Sequence, residues 1–207
     1  ELNISREEQE EFAVESHEKA LKAIDLGLFK DEIIPIDFNG EIVSIDEGPR
    51  KPDLDKIKSL DPAFDVNGTI TPATSSPISI GASAALLVSE SLAKELGLSY
   101  EFKVLARSVA GVDWTVMGSG PIPATEKALK KSGLSISDID VIELNEAFAA
   151  QSLYVIKKAG WDRDKILHYA ATIEKNSEHP LAQAIVDAAD NILLDDAIVK
   201  DLVIESG

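Results

Sequence analysis

The sequence predicts an α/β protein built in layers, and three observations carry that reading. Helical and extended patterns alternate along the chain, with glycines at the joints. The short apolar run Val141-Ile-Glu-Leu144 stops at Asn145 and leads into a helix driven by Phe148, Leu153 and Ile156. Strand, polar residue, helix start is where open α/β sheets build binding sites. Pro123 and Gly133 bracket an amphipathic helix, with Ala124, Ala128 and Leu129 on its dry side and Lys127, Lys130 and Lys131 on its wet side.

The remaining elements follow in order. Ser5 with Glu8 three residues later is a capping box that opens a helix. Phe12, Ala13, Ala20, Ala23 and Ile24 recur at helical spacing, Glu10, Lys19 and Lys22 mark a solvated side, and Gly27 ends the helix. His17 reads as a surface or boundary histidine. Residues 31–45 read as extended, and Asn39-Gly40 between apolar runs signals a hairpin. Leu54, Ile57 and Leu60 make a short helix closed by Pro62. A strand is expected at Asn67–Thr71, then a polar loop containing Thr74, Ser75 and Ser76, then a buried strand or helix over Gly81–Ser89. Leu92–Leu96 is helical and Gly97 ends it. Tyr100–Val109 is β-rich and reads as a strand, and Gly160 closes the helix after Phe148.

Composition narrows the function. The chain has 207 residues, 44% of them hydrophobic, enough for one or two cores. Its net charge of -17 repels phosphate backbones and anionic lipid, so neither nucleic acid nor a membrane is an expected partner. No apolar run approaches the ~20 residues of a membrane span. The acidic opening, Glu7, Glu8, Glu10 and Glu11, does not read as a secretory leader, and the cytoplasm is the expected location. These residues contain no cysteine, which removes disulfides, cysteine metal sites and a cysteine nucleophile. The three histidines have no metal-ligand spacing, so no metal is expected.

Met117-Gly-Ser-Gly-Pro-Ile-Pro-Ala124, followed by Ile142-Glu-Leu-Asn-Glu-Ala-Phe-Ala-Ala-Gln151, resembles the carboxy-terminal half of a thiolase. The resemblance covers about residues 4–166. It implies a thiolase-like layered domain and an acyltransferase acting on acyl-CoA in lipid metabolism. The implied division is 1–64, the end of the family's loop domain, and 65–166, the carboxy-terminal-half α/β domain. It implies a coenzyme A thioester as ligand and no tightly bound cofactor. It carries Ser76 over as a contact to the pantetheine arm, although Ile80 stands where the family commonly has Asp. The alternative for Ser76 is a Ser/Thr turn closing on its own backbone. Asn145 matches the family residue that holds an oxyanion-hole water; the alternative is an asparagine capping the helix from Glu146.

Residues 167–207 read differently, as a helical carboxy-terminal segment. Ser177-Glu-His-Pro180 with its Leu-Ala-Gln-Ala-Ile-Val tail resembles the start of the nucleotide-binding domain of heavy-metal P-type ATPases, without that family's phosphorylation motif. Three readings of His179 stay open: a purine ligand beside Glu178, the counterpart of the thiolase histidine in a His-Pro-Leu run, or an ordinary helix-start histidine. Thiolase chemistry needs a thiolate to carry the acyl group. The expectation is therefore an incomplete or chimeric thiolase, inactive alone, with a second copy or a missing thiolase half as protein partner. A purine-nucleotide-binding module and a non-catalytic scaffold are the alternatives.

Overall fold

The computed structural model describes residues 3–99, 102–161 and 163. Helices dominate, and their ends follow the local chemistry of the sequence. Helix α1, Arg6–Asp25, is opened by the Ser5 box: the Glu8 N–H donates to Ser5 Oγ at 3.1 Å, and the Ser5 N–H donates back to Glu8 Oε2 at 2.9 Å. Both groups would otherwise be orphans of the first helical turn. The hairpin pairs β1, Ile36–Phe38, with β2, Glu41–Val43, antiparallel with Ile36 opposite Val43. Its turn puts Asn39 at φ 56° and Gly40 at φ 88°, the left-handed pair that a two-residue hairpin demands. Asp37 Oδ1 accepts the Gly40 N–H at 2.8 Å and closes that turn.

Short α2, Leu54–Ser59, is capped by Asp53, whose side chain accepts the Lys56 N–H. Its far end is held by Arg6, which donates to the carbonyls of Leu60 at 2.7 Å and Lys58 at 3.2 Å. Helices α3, Glu90–Leu96, α4, Pro121–Ser132, and α5, Ala149–Ala159, each stop at a left-handed glycine, respectively Gly97, Gly133 and Gly160. Pro121 opens α4 at a position that needs no N–H partner. Before it, Gly118 lies so close to α5 that a Cβ there would meet Gln151 Cγ at 2.8 Å.

The core lies between α1 and α5. Phe12, Ala149 and Leu153 are buried together, with Ile4 and Ile156 packed against them. The Arg163 guanidinium covers the Phe12 ring at 4.6 Å and pairs with Glu15, and Lys157 of α5 pairs with Glu8 of α1. A 3₁₀ turn at Pro72–Thr74 packs against α1 from another side. Gln9 is 1% exposed at that seam and donates to Thr69 Oγ1 at 3.0 Å.

Several expectations are corrected. Among the described residues, no strand forms at 67–71, at 102–109 or at 141–144, and 81–89 is neither buried strand nor helix until α3 begins at Glu90. Phe102, Val109, Ile80 and Leu86 are each more than four-fifths exposed. The reason is that β-propensity describes a surface awaiting neighbours, and a strand exists only when a ladder closes its N–H and C=O groups. Phe148 lies over no strand; it precedes α5 and meets Phe64 edge to face, centroids 5.9 Å apart. Glu10, expected in solvent, is buried, and Arg6 Nε donates to it at 2.7 Å. The expected helical segment at 167–207, with Glu178 and His179, lies outside the described residues.

Phe12→Ala should cost about 3–5 kcal/mol, the usual range for a buried phenylalanine. Urea unfolding measures it, and a loss below about 1 kcal/mol would show that the α1–α5 seam is not the core.

Candidate functional site

Two loops from distant parts of the sequence meet beside α1. The Ser76 N–H donates to the Ala147 carbonyl at 2.9 Å, next to an antiparallel bridge between Ser75 and Phe148. That junction brings the polar loop 72–77 against the segment 144–148. The two loops, the middle of α1 and residues 48–50 enclose a cleft of about 450 Å³, within the size range of small-molecule sites. Ser76 and Asn145, singled out separately in the sequence, both line it.

The hydrogen bonds separate the Ser/Thr residues of the loop. Thr71 N–H donates to Thr74 Oγ1 at 3.0 Å, and Ser75 Oγ donates to the Thr71 carbonyl at 2.8 Å. Those two side chains close the loop on its own backbone. Ser76 is exposed; its hydroxyl reaches only the Pro77 carbonyl, at 3.5 Å, too long to hold it firmly. Asn145 does not cap α5, which begins at Ala149 with Phe148 at the cap position. Among the described residues the Asn145 side-chain amide has no hydrogen-bond partner, so its donor and acceptor are available to a ligand in the cleft.

Four further residues of this cleft, Ser16, His17, Arg50 and Glu146, carry no signal in the sequence that marks them as its parts. Ser16 Oγ donates to Glu146 Oε2 at 2.6 Å, joining α1 to the segment that carries Asn145. His17 Nδ1 accepts the Arg50 N–H at 3.4 Å, a long contact. Burial holds His17 below the usual histidine range, the Arg50 charge pushes the same way, and Glu146 pulls upward. The cleft thus favours the neutral imidazole over the charged one, with Nδ1 facing the Arg50 N–H. Among the described residues no group of three His, Asp or Glu is placed to hold a metal, and no helix is long and apolar enough to cross a membrane.

Because the folded state disfavours a charged His17, the unfolded chain binds more protons in the acid window, and this group's effect lowers stability as pH falls through the ordinary histidine value of ~6.5. The ring-proton NMR titration of His17 should have its midpoint below that value and move up in Arg50→Gln. A midpoint at or above the ordinary value would contradict the cleft electrostatics.

Comparison with known proteins places these features. The family model described as Thiolase, N-terminal domain, matches residues 1–91, and Thiolase, C-terminal domain, matches 99–184. A 3-ketoacyl-CoA thiolase of Photobacterium profundum is 52% identical over 164 residues, which are 76% of this chain and 42% of that protein. The one from Aliivibrio fischeri is 51% identical over the same shares. Human mitochondrial 3-ketoacyl-CoA thiolase shares the fold with a TM-score of 0.71 and 35% identity, over 78% of this chain and 42% of its own. The acetyl-CoA acetyltransferase of Bacillus anthracis gives 0.70 and 37%, over 90% of this chain and 48% of its own. The chain thus spans less than half the length of the relatives it matches. The second family match runs to residue 184 and takes in Glu178 and His179, and the P-type ATPase resemblance of that stretch gains no support.

Proposed function

The chain belongs to the thiolase family, and on that premise we propose that the cleft beside α1 binds an acyl-CoA thioester as part of thiolase-type acyl transfer. The observation that carries the reading is the Ser76 N–H to Ala147 carbonyl bond at 2.9 Å, which sets Ser76 and Asn145 in one cleft. Ser76 takes the pantetheine arm. The Asn145 amide positions a water or the thioester oxygen, a role in polar orientation rather than in bond making. His179, in its His-Pro-Leu run, stands for the family histidine. No cofactor is needed beyond the coenzyme A of the substrate.

Bond making is a separate matter. The family's chemistry as the resemblance implies it passes the acyl group through a thiolate, and these 207 residues contain no cysteine. The nucleophile therefore comes from other thiolase residues, and the same residues supply ladder partners for the exposed extended segments around Ile80, Phe102 and Val109. The nucleotide-module and scaffold readings are not favoured, since the family matches extend over most of the chain.

Coenzyme A added to the 207-residue chain should shift the backbone NMR signals of Ser76 and Asn145, and Asn145→Ala should weaken the response to an acyl-CoA. Acetoacetyl-CoA should not be cleaved above the buffer rate. Signals unmoved by millimolar coenzyme A would discard the cleft; turnover that disappears in Asn145→Ala would discard the view that a nucleophile is missing.

A further inference from the structure

We propose that Asn39 is a site of spontaneous covalent modification, deamidation through a cyclic imide, and that Asp37 sets its rate. The reaction needs only water. The Gly40 backbone nitrogen loses its proton and attacks Asn39 Cγ; the Cγ–Nδ2 bond breaks, and Nδ2 leaves as ammonia. Water then opens the five-membered ring. Opening at the side-chain carbonyl leaves aspartate. Opening at the main-chain carbonyl leaves isoaspartate, with the backbone running through Cγ. A glycine after the asparagine favours ring closure, because no Cβ crowds the attacking nitrogen.

The sequence holds two Asn-Gly steps, 39–40 and 67–68, and the structure separates them. At the second, the Gly68 N–H donates to the Asp65 main-chain carbonyl at 2.8 Å, and the Asn67 N–H donates to Asp65 Oδ1 at 2.9 Å. The Ala63 N–H closes that turn on the Ile70 carbonyl at 2.8 Å, and buried Gln9 ties down Thr69 at 3.0 Å. A Cβ on Gly68 would already lie 3.0 Å from the Asp65 carbonyl oxygen. Ring closure there has to break a turn anchored to the core seam.

The 39–40 step has open surroundings. Residues 34–48 are exposed, and β1 and β2 form a sheet of two strands, which is marginal by itself. A Cβ on Gly40 would meet nothing within 4 Å. The attacking nitrogen is restrained by a side chain: the Gly40 N–H donates to Asp37 Oδ1 at 2.8 Å. The carboxylate holds the hydrogen that the reaction must remove, and its charge opposes the amide anion that attacks. The product does not fit the turn. Isoaspartate adds a methylene to the main chain and a negative charge beside Asp37, which the φ 56° and 88° pair and the alignment of Ile36 with Val43 do not accommodate.

The test ages the folded 207-residue chain in neutral buffer and follows asparagine, aspartate and isoaspartate at both steps by chromatographic peptide mapping with mass spectrometry. Products should accumulate at Asn39 and lag at Asn67, and in urea the two steps should react at similar rates. Asp37→Ala should speed the reaction at Asn39 about tenfold, the size of one charge-assisted hydrogen bond, and leave Asn67 unchanged as an internal clock. Asp37→Asn, which keeps an acceptor without the charge, should fall between. Equal rates in the folded chain, or a faster reaction at Asn67, would overturn the site. The same preference for Asn39 in urea would assign it to local sequence and overturn the structural account. If Asp37→Ala leaves Asn39 unchanged, speeds both steps alike, or is matched by Asp37→Asn, the role of the Asp37 carboxylate is overturned.

Discussion

Phe12 is the hinge of the arrangement, in the sense that its burial fixes where α5 can lie. Its ring packs on Ala149 and Leu153, and Arg163 closes the ring's outer face. The small residue at 149 lets the start of α5 approach α1 closely. That approach brings residues 144–148, immediately before α5, alongside α1, where Glu146 finds Ser16. The 72–77 loop then closes against the Ala147 carbonyl. Remove the contact between Phe12 and α5, and the cleft loses two of its walls together. Stability and site geometry therefore share one set of atoms.

The seam between α1 and the 69–74 segment is different in kind. It is polar: Gln9, Thr71 and Thr74 are almost completely buried. The Gln9 amide donates to the Ser5 carbonyl at 3.1 Å and to Thr69 at 3.0 Å, and Thr74 closes on Thr71. Apolar contacts alone would tolerate a slip of the loop along the helix, because dispersion has little directionality. Directional bonds at a buried seam fix the register. Register matters here, because one residue's displacement would exchange Ser76 for Ser75 at the Ala147 carbonyl.

What was legible in the sequence was local. Ser5 and Glu8, Asn39 and Gly40, and the glycines that end α3, α4 and α5 each act within a few residues, so their chemistry reads directly from the chain. Ser76 and Asn145 were legible as candidates through resemblance, but not as neighbours. The Ser16–Glu146 bond spans 130 positions and the His17–Arg50 contact spans 33, and nothing in either local sequence announces its partner. Among the described residues of 67–71, 100–109 and 141–144, the expected strands failed for the same reason in reverse. Apolar alternation identifies residues able to line a sheet; it does not identify the neighbouring strand that must complete the ladder.

The charge distribution sets the last constraint on this cleft. A net charge of -17 spread over the surface is screened in physiological salt beyond about 8 Å. An anion beside the chain therefore responds mainly to charges at short range, and most of the acidic surface contributes little to its energy there. The distant charge acts instead on approach, by lowering the concentration of anions near the protein. Affinity and encounter rate are thus governed by different residues. Close to the cleft the field is set by its own charged lining residues, Arg50 and Glu146. The acidic face of α1, with Glu7, Glu11 and Glu18, acts on encounter. Raising salt relieves that long-range repulsion and also weakens short-range attraction between an anion and an exposed cation, so the two effects oppose each other in a measured affinity and separate only in the association and dissociation rates.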